Sequence, residues 1–360
     1  MSECAILAVP ILMAHRQIGK TGAVLMQFLK LGIAAALIFW MVHSGKLDLR
    51  ALARAGSQWP TLCVIASLFY VEIFVLSLRW RALARALGVD LSLRSSFSLT
   101  MTGMLFNTVV PGSVGGDVLK AWYARRAGPD PVGAVASILV DRVMGLLSLV
   151  LLAVAGAAWN FRQLSQNADL RAFWTALGVI LVIAAAAGIA AMAASERLSS
   201  MLMPLRIPPL VRTVLLKILG VLSSYHRKRG VLLQSIALSL PCHLLVCAAF
   251  YLCWVTVSHT TLDPAILLFV VPLGLVTTAV PLAPGGIGVG QAAFFALFQF
   301  VLPGRGPTGS SAFTVFQVIL LLVSCSGIVF YLRVRRNVSQ PAAFAGEAAE
   351  ESPWTGLPRG

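Results

Sequence analysis

Long apolar runs alternate with short clusters of lysine and arginine along most of this chain. A helix of about 20 apolar residues is long enough to cross the hydrocarbon core of a bilayer. The pattern therefore predicts an all-α fold, a polytopic membrane helical bundle. The predicted spans are residues 23–42, 60–78, 132–159, 173–194, 231–257 and 311–332.

Two further apolar stretches are interrupted by glycine and proline and are too broken to count as single spans. They cover residues 95–126 and 264–302. The chain accordingly divides into an N-terminal segment at 1–20, a single transmembrane domain at 21–336 and a tail at 337–360. The tail is rich in Ala, Glu, Pro and Gly, a composition that predicts disorder.

Composition excludes a soluble globular enzyme. Apolar residues make up 58% of the chain and charged residues 11%, against about 45–50% and about 25% in soluble domains. The net charge is +15, but the basic residues stand at the ends of apolar runs, as the positive-inside rule expects. Anionic or phosphate-bearing membrane lipids are therefore the expected partners, rather than nucleic acid. A multi-pass protein of the cell inner (cytoplasmic) membrane is predicted.

The basic clusters also predict the orientation of the chain. The densest clusters include residues 195–229 and 333–336, which are expected on the cytoplasmic side. Residues 258–263 contain no lysine or arginine and are expected outside. Residues 209–225 place apolar side chains at helical spacing, which fits an interfacial amphipathic helix, with an ordinary cytoplasmic linker as the alternative.

Each broken stretch carries the same short motif. Residues 108–116 and 278–286 both read T-x-V-P-x-x-x-G-G. The first stretch begins and ends beside basic residues, which predicts a hairpin that re-enters from the cytoplasm, whereas the second is predicted to re-enter from outside. Two broken hairpins of opposite sense indicate an inverted-repeat transporter. The alternative is that each stretch completes two crossings.

The loops of these hairpins are expected at membrane depth. Irregular backbone is tolerated there only where it is buried in protein or lines a cavity. Glycine suits such loops because it lets two backbone segments pass closely. The residues predicted at the broken-helix loops are Pro111, Gly115, Gly116, Pro281, Pro284, Gly285, Gly286 and Gln291.

Ionisable residues inside apolar segments are the candidates for chemistry, because each costs about 2.5–3.5 kcal/mol on insertion scales. Asp141 and Arg142 point about 100° apart on a helix, so each needs a partner on another element, and Glu72 is a candidate for Arg142. The alternatives are an ion-pair network that only orients helices and an N-cap role for Asp117. The predicted substrate-binding residues are Glu72, Arg79, Asp117, Lys120, Asp141 and Arg142.

Three segments together resemble a known family. They are PGSVGGDVLKAWYARR at 111–126, the Asp-Arg pair at 141–142 and PLAPGGIGVGQ at 281–291. They are similar to the integral membrane family of the lysylphosphatidylglycerol synthase flippase domain, over about residues 20–335. The resemblance implies a protein that translocates lipid. Members often carry Glu after the second glycine loop, where this chain has Gln291.

The leading hypothesis is an integral inner-membrane protein that flips a phospholipid or lipid-linked substrate. Arg142 and Lys120 would bind phosphate, and Asp117 and Asp141 would hold these two side chains in place or bind a cationic group of the substrate. One alternative is a membrane-embedded transferase acting on a lipid carrier, with Asp117 and Asp141 as its candidate pair. Another is a non-catalytic membrane partner of a separate lipid or glycan synthase.

No catalytic residue, metal ligand or cofactor is assigned from the sequence. A Ser-His-Asp arrangement does not stand out, HExxH is absent, and the cysteines form no CxxC pair. Cys242, His243 and Cys247 could face one another on a helix, but we interpret the cysteines as small buried apolar residues. No soluble synthase domain is expected after residue 336, so lysine transfer to lipid is not implied.

Overall fold

The computed structural model describes six stretches of the chain and a few isolated positions between them. These are residues 55–109, 115–124, 131–159, 190–202, 208–278 and 286–338, with the single positions 39, 42, 43, 53, 176 and 179. The predicted segment 1–20, most of the predicted spans 23–42 and 173–194, and nearly all of the tail 337–360 lie outside the described residues. So do the loop residues Pro111, Pro281, Pro284 and Gly285.

The described residues form helices and no strand, which confirms the predicted all-α class. Residues 190–202 are helical. The helices with defined bounds in this part of the chain are α1 (Trp59–Ala86), α2 (Leu93–Val109), α3 (Gly115–Ala124), α4 (Pro131–Trp159), α5 (Pro209–Arg227), α6 (Arg229–Ser258), α7 (Pro264–Thr278), α8 (Val289–Val301), α9 (Gly306–Cys325) and α10 (Gly327–Val338).

Four helical stretches within the described residues are apolar and long enough to cross a membrane. Each contains one of the spans predicted from the sequence. They are Trp59–Ala86, Val132–Trp159, Arg229–Ser258 and, across the junction of α9 and α10, Gly306–Val334.

Local chemistry explains where the first of these helices begins and ends. Pro60 stands in the first turn of α1, where the missing amide hydrogen would have had no helical partner. Gly88 follows the C-terminal end of α1 with a φ of 79°, a left-handed conformation that stops the helix. A 28-residue helix bounded in this way is longer than the apolar run that predicted it.

Two sets of helices recur in the same order along the chain. α1 begins at Trp59 and α6 at Arg229, 170 positions later. The two copies of the T-x-V-P motif begin at Thr108 and Thr278, which are also 170 positions apart. Each set consists of a long helix, a pair of short helices and a second long helix. We call α2 and α3 the first helix pair and α7 and α8 the second helix pair.

The two sets pack against each other reciprocally. α1 packs along α6, α4 packs on α7 of the second helix pair, and α2 of the first helix pair packs on α9 and α10. Glycines allow close approach at both crossings. A Cβ added to Gly156 of α4 would lie 2.8 Å from the carbonyl carbon of Leu268 in α7, and one added to Gly327 of α10 would lie 3.1 Å from that of Met101 in α2. α4 therefore contacts the second helix pair, and α9 with α10 contacts the first helix pair.

An aromatic core holds the second helix pair against the long helices. Phe294 of α8 is fully buried, with its ring centroid 5.0 Å from that of Phe250 in α6 and 4.3 Å from that of Phe313 in α9. Phe316 of α9 packs edge-on against Phe69 of α1 at 4.9 Å. Offset and edge-on ring pairs of this kind add to the packing energy of the area they bury.

Helix α5 is tied to the end of α1 by side-chain hydrogen bonds. The buried Tyr225 donates from its Oη to the Leu83 carbonyl at 3.0 Å, and Lys228 Nζ donates to the Ala86 carbonyl at 2.8 Å. These bonds satisfy carbonyls that the last turn of α1 leaves without helical partners. Burial raises the pKa of the Tyr225 phenol.

Candidate functional site

A cavity of about 870 Å³ opens between the two helix pairs. Both pairs contribute to its wall, through Asn107 and Thr108 at the end of α2 and through Thr278 and Gln291 on either side of the second loop. Aliphatic side chains of α4, α7 and α9 line much of the remainder. Of the predicted substrate-binding residues, the wall includes Arg79, Asp117, Lys120, Asp141 and Arg142.

Arg79 of α1 and Asp141 of α4 form a buried ion pair at this wall. The Arg79 Nε donates to Asp141 Oδ1 at 2.8 Å, and Nη2 donates to the Asp141 carbonyl at 3.2 Å. Nη1 donates to Ser239 Oγ of α6 at 2.9 Å. The two charged side chains are only 5% and 14% exposed. All three guanidinium nitrogens are therefore occupied, and the pair connects three long helices.

Arg142 of α4 and Asp117 of α3 form a second, more open pair. Nε and Nη2 of Arg142 donate to the two carboxylate oxygens of Asp117, at 2.9 and 3.0 Å. The Arg142 side chain is 55% exposed and that of Asp117 20%. Arg142 Nη1 makes no hydrogen bond within the described part of the chain. Asp117, rather than Glu72, is therefore the partner of Arg142.

Lys120 of α3 lines the cavity beside these pairs. Its Nζ stands 4.8 Å from the centroid of the Trp80 ring. Trp80 is fully buried, and its Nε1 donates to Ser137 Oγ at 3.2 Å, so the ring is a fixed platform. A lysine ammonium over the face of a tryptophan is a favourable cation–π contact.

Glu72 is not among the residues that line the cavity. It lies on α1 two turns before Arg79 and is buried against α6, where the Cys242 thiol donates to the Glu72 carbonyl at 3.9 Å. The structure thus brings five of the six predicted substrate-binding residues to one cavity and leaves Glu72 in the packing behind it.

The start of α3 is capped from the neighbouring helix. The Gly116 amide donates to Asn107 Oδ1 of α2 at 2.8 Å, while the carboxylate of Asp117 turns to Arg142. Asp117 is the third residue of α3, so it lies inside the first turn and not at the N-cap position before the helix. Gly116 is also where the two helices touch, because a Cβ there would lie 2.6 Å from the carbonyl carbon of Gly103. Gly115 is the first residue of α3.

The second helix pair presents neutral amides where the first presents charges. Gln291, 2% exposed, accepts from the Gly288 amide through Oε1 at 2.7 Å. Its Nε2 donates to Gln317 Oε1 of α9, also at 2.7 Å. Gly286 and Gly288 adopt left-handed φ values of 71° and 83°, which shape the turn into α8.

Among the polar residues of the wall, Asn107 and Gln317 were not singled out by the sequence. Asn107 directly precedes the repeated T-x-V-P motif, which is the signal that could have drawn attention to it. Gln317 carries no comparable signal, because a single polar residue in an apolar helix has many packing roles. His243, which the sequence analysis named only as a possible neighbour of Cys242 and Cys247, also lines the cavity, and its Nε2 lies 3.1 Å from the Gly145 carbonyl.

Comparison with known protein families places the chain in one of them. The family described as the lysylphosphatidylglycerol synthase TM region matches residues 27–343. The chain belongs to this family. It is 22% identical over 316 residues, which are 82% of this chain and 91% of the relative, to a UPF0104 membrane protein of Methanothermobacter thermautotrophicus. No solved structure matches the chain.

Membership of the lysylphosphatidylglycerol synthase TM region confirms the resemblance drawn from the sequence motifs. Together with the four long apolar helices, it makes the chain a membrane protein. The matched region contains every residue of the cavity wall, so the charged site lies within the part that defines the family.

Proposed function

We propose that the chain is a multi-pass inner-membrane protein that translocates a phospholipid or a lipid-linked substrate. The observation that carries this proposal is the cavity between the helix pairs, whose wall combines two charged pairs from α1, α3 and α4 with aliphatic side chains from α4, α7 and α9. A headgroup that crosses a bilayer needs polar partners at depth, because an unpaired charge in hydrocarbon is costly.

The aliphatic residues of the cavity wall suit the acyl chains of such a lipid. They include Leu275 of α7 and Val318 and Leu321 of α9. Val318 and Leu321 are also exposed on the surface of the bundle, where they would meet the bilayer. A lipid could therefore place its headgroup against α3 and α4 while its chains stay against α9 and the surrounding hydrocarbon.

The internal repeat supports a translocation mechanism. The two sets of helices start 170 positions apart, pack reciprocally, and place the first residues of their repeated motifs, Thr108 and Thr278, at one cavity. We propose that the first and second helix pairs are broken hairpins that re-enter from opposite faces. Transporters built from inverted repeats bind substrate at such an interface and alternate its access between the two sides.

The transferase alternative rested on Asp117 and Asp141 as a pair of catalytic carboxylates. Each of them accepts hydrogen bonds from an arginine, Arg142 and Arg79 respectively. Carboxylates paired in this way are held as acceptors for the guanidinium groups, so the geometry favours a binding role over a free general base.

Transport by the purified protein in vesicles tests the proposal. We would reconstitute the protein into liposomes that contain a fluorescent phosphatidylglycerol and add dithionite, which destroys only the fluorophores of the outer leaflet. Wild type is expected to deliver inner-leaflet lipid to the quencher faster than empty liposomes do. Arg142→Ala should slow this delivery, whereas Arg85→Ala, which removes an exposed pair with Asp90 outside the cavity, should not.

The topology is tested separately by labelling. Cysteines placed at Ser113 and Ala283, in the two glycine- and proline-rich loops, are expected to react from opposite faces of the membrane in a cysteine-free background. Residues 195–229 and the C-terminus should react from the cytoplasmic side, and residues 258–263 from outside. Labelling of both loops from one face would refute the inverted repeat.

A further inference from the structure

The charges that line the cavity do not cancel within the described part of the chain. Three cations, Arg79, Lys120 and Arg142, share the wall with two carboxylates, Asp117 and Asp141. Each carboxylate hydrogen-bonds one arginine. Among the residues that the structure describes, no carboxylate lies within 4.0 Å of the Lys120 ammonium.

Trp80 positions the Lys120 ammonium without neutralising it. The 4.8 Å contact with the ring attracts the cation, but the ring contributes no net charge. Removing an ammonium from water into an apolar wall is costly unless an anion compensates it. The positioned ammonium of Lys120 is therefore available to an anion in the cavity.

The second set of helices does not supply that anion. Helices α6, α7, α8 and α9 contain no aspartate and no glutamate. The Gln291–Gln317 hydrogen bond is neutral. The loop segments 110–114 and 279–285 contain no charged residue in the sequence. His243 contacts the Gly145 carbonyl through Nε2, a bond that a neutral imidazole can donate.

We infer that the cavity selects a lipid headgroup with net negative charge. Lys120 and Nη1 of Arg142, which makes no hydrogen bond to a described residue, bind the oxygens of its phosphate. This inference rests on the proposed translocation of a lipid. Asp117 precedes Lys120 by three residues on α3 and holds Arg142, so the two donors flank the same carboxylate. Hydrogen bonds from ammonium and guanidinium groups to phosphate are among the strong ones in proteins. A zwitterionic headgroup brings its own cation, which would repel these donors.

Equilibrium binding in detergent tests the selectivity without requiring transport. The ligands are short-chain phosphatidylglycerol, phosphatidylcholine with the same acyl chains, and inorganic phosphate. Wild type is expected to bind phosphatidylglycerol about tenfold or more tightly than phosphatidylcholine, because the choline cation of the second lipid repels the two donors that bind its phosphate. Lys120→Met should abolish the preference and Lys120→Arg should keep it. Lys217→Met, at an exposed lysine of α5, should leave it unchanged.

A second variant removes the same charge but keeps a polar side chain. Lys120→Gln is neutral and can still donate a hydrogen bond, and should also reduce the preference. Melting temperatures identify any variant that fails to fold; if Lys120→Met fails, the Lys120→Gln result decides.

Three outcomes would overturn the inference. They are equal binding of the two lipids by wild type, a retained preference in folded Lys120→Met, and inorganic phosphate binding as tightly as phosphatidylglycerol, which would make free phosphate the ligand. A preference for phosphatidylglycerol without transport in liposomes would instead refute the proposed translocation and leave the charge selectivity standing.

Discussion

The two arginines of the cavity wall should respond very differently to the same substitution. Arg79 and Asp141 are 5% and 14% exposed, and Arg79→Met would leave the Asp141 carboxylate buried without its partner. Breaking a buried pair on one side costs about 3–5 kcal/mol. Arg142 is 55% exposed, and Arg142→Met would leave Asp117 facing the cavity in the first turn of α3. There the helix dipole favours a carboxylate, and loss of an exposed pair costs about 1 kcal/mol or less.

The assay is reversible unfolding of the purified protein in mixed detergent micelles, with melting temperature as a second readout. Arg79→Met should be destabilised by several times more than Arg142→Met, while Arg142→Met should lose transport. Adding Asp141→Leu to Arg79→Met should restore much of the lost stability, because no unpaired buried charge then remains. Equal destabilisation by the two single variants, or a double variant no more stable than Arg79→Met, would refute this assignment of roles.

Three further substitutions test the packing around the site. Gly116→Ala should destabilise the protein by about 1–3 kcal/mol, because the new methyl group meets the backbone of α2, whereas Gly220→Ala, in open space on α5, should be neutral or slightly stabilising. Tyr225→Phe should cost about 1–2 kcal/mol, since a carbonyl at the end of α1 loses its donor. Phe294→Ala should cost about 3 kcal/mol through the space it leaves in the aromatic core, and Phe300→Ala, on the exposed surface, much less.

Each of these is measured as a shift in the unfolding free energy, and each has an outcome that contradicts it. Gly116→Ala melting no lower than Gly220→Ala would mean that α2 and α3 do not touch at that point. An unchanged unfolding free energy for Tyr225→Phe would show that the hydrogen bond to the Leu83 carbonyl does not stabilise the contact between α5 and α1. Similar losses for Phe294→Ala and Phe300→Ala would show that the aromatic cluster is not packed as described.

The sequence revealed the charged site because charge is rare in an apolar segment. Asp117, Lys120, Asp141 and Arg142 stood out for that reason, and all of them line the cavity. The repeat was visible only as a nine-residue motif, because the remainder of the two sets shares the order of its helices rather than its residues. The structure extends it to whole helices, such as α1 and α6, which start 170 positions apart.

The sequence did not show which carboxylate pairs with which arginine. Glu72 and Asp117 were both available to Arg142, and nothing in a helical pattern says which carboxylate a neighbouring helix brings within 3 Å. The crossing of α3 and α4 brings Asp117, and not Glu72, to Arg142. The sequence also did not show the partner of Asn107. Its Oδ1 accepts from the Gly116 amide because α2 and α3 approach closely at Gly103 and Gly116.

The sequence by itself determined that this is a helical membrane protein, where several of its helices lie, which family it resembles and which charges need explanation. These follow from composition and local pattern, since apolar length, proline and glycine act within a few residues of themselves. Only the tertiary structure decided which arginine of the cavity wall is buried and which is half exposed, and that Thr108 and Thr278, the first residues of the two motif copies, line one cavity. Those outcomes depend on how helices far apart in sequence cross, and the crossing is set by packing across the whole bundle.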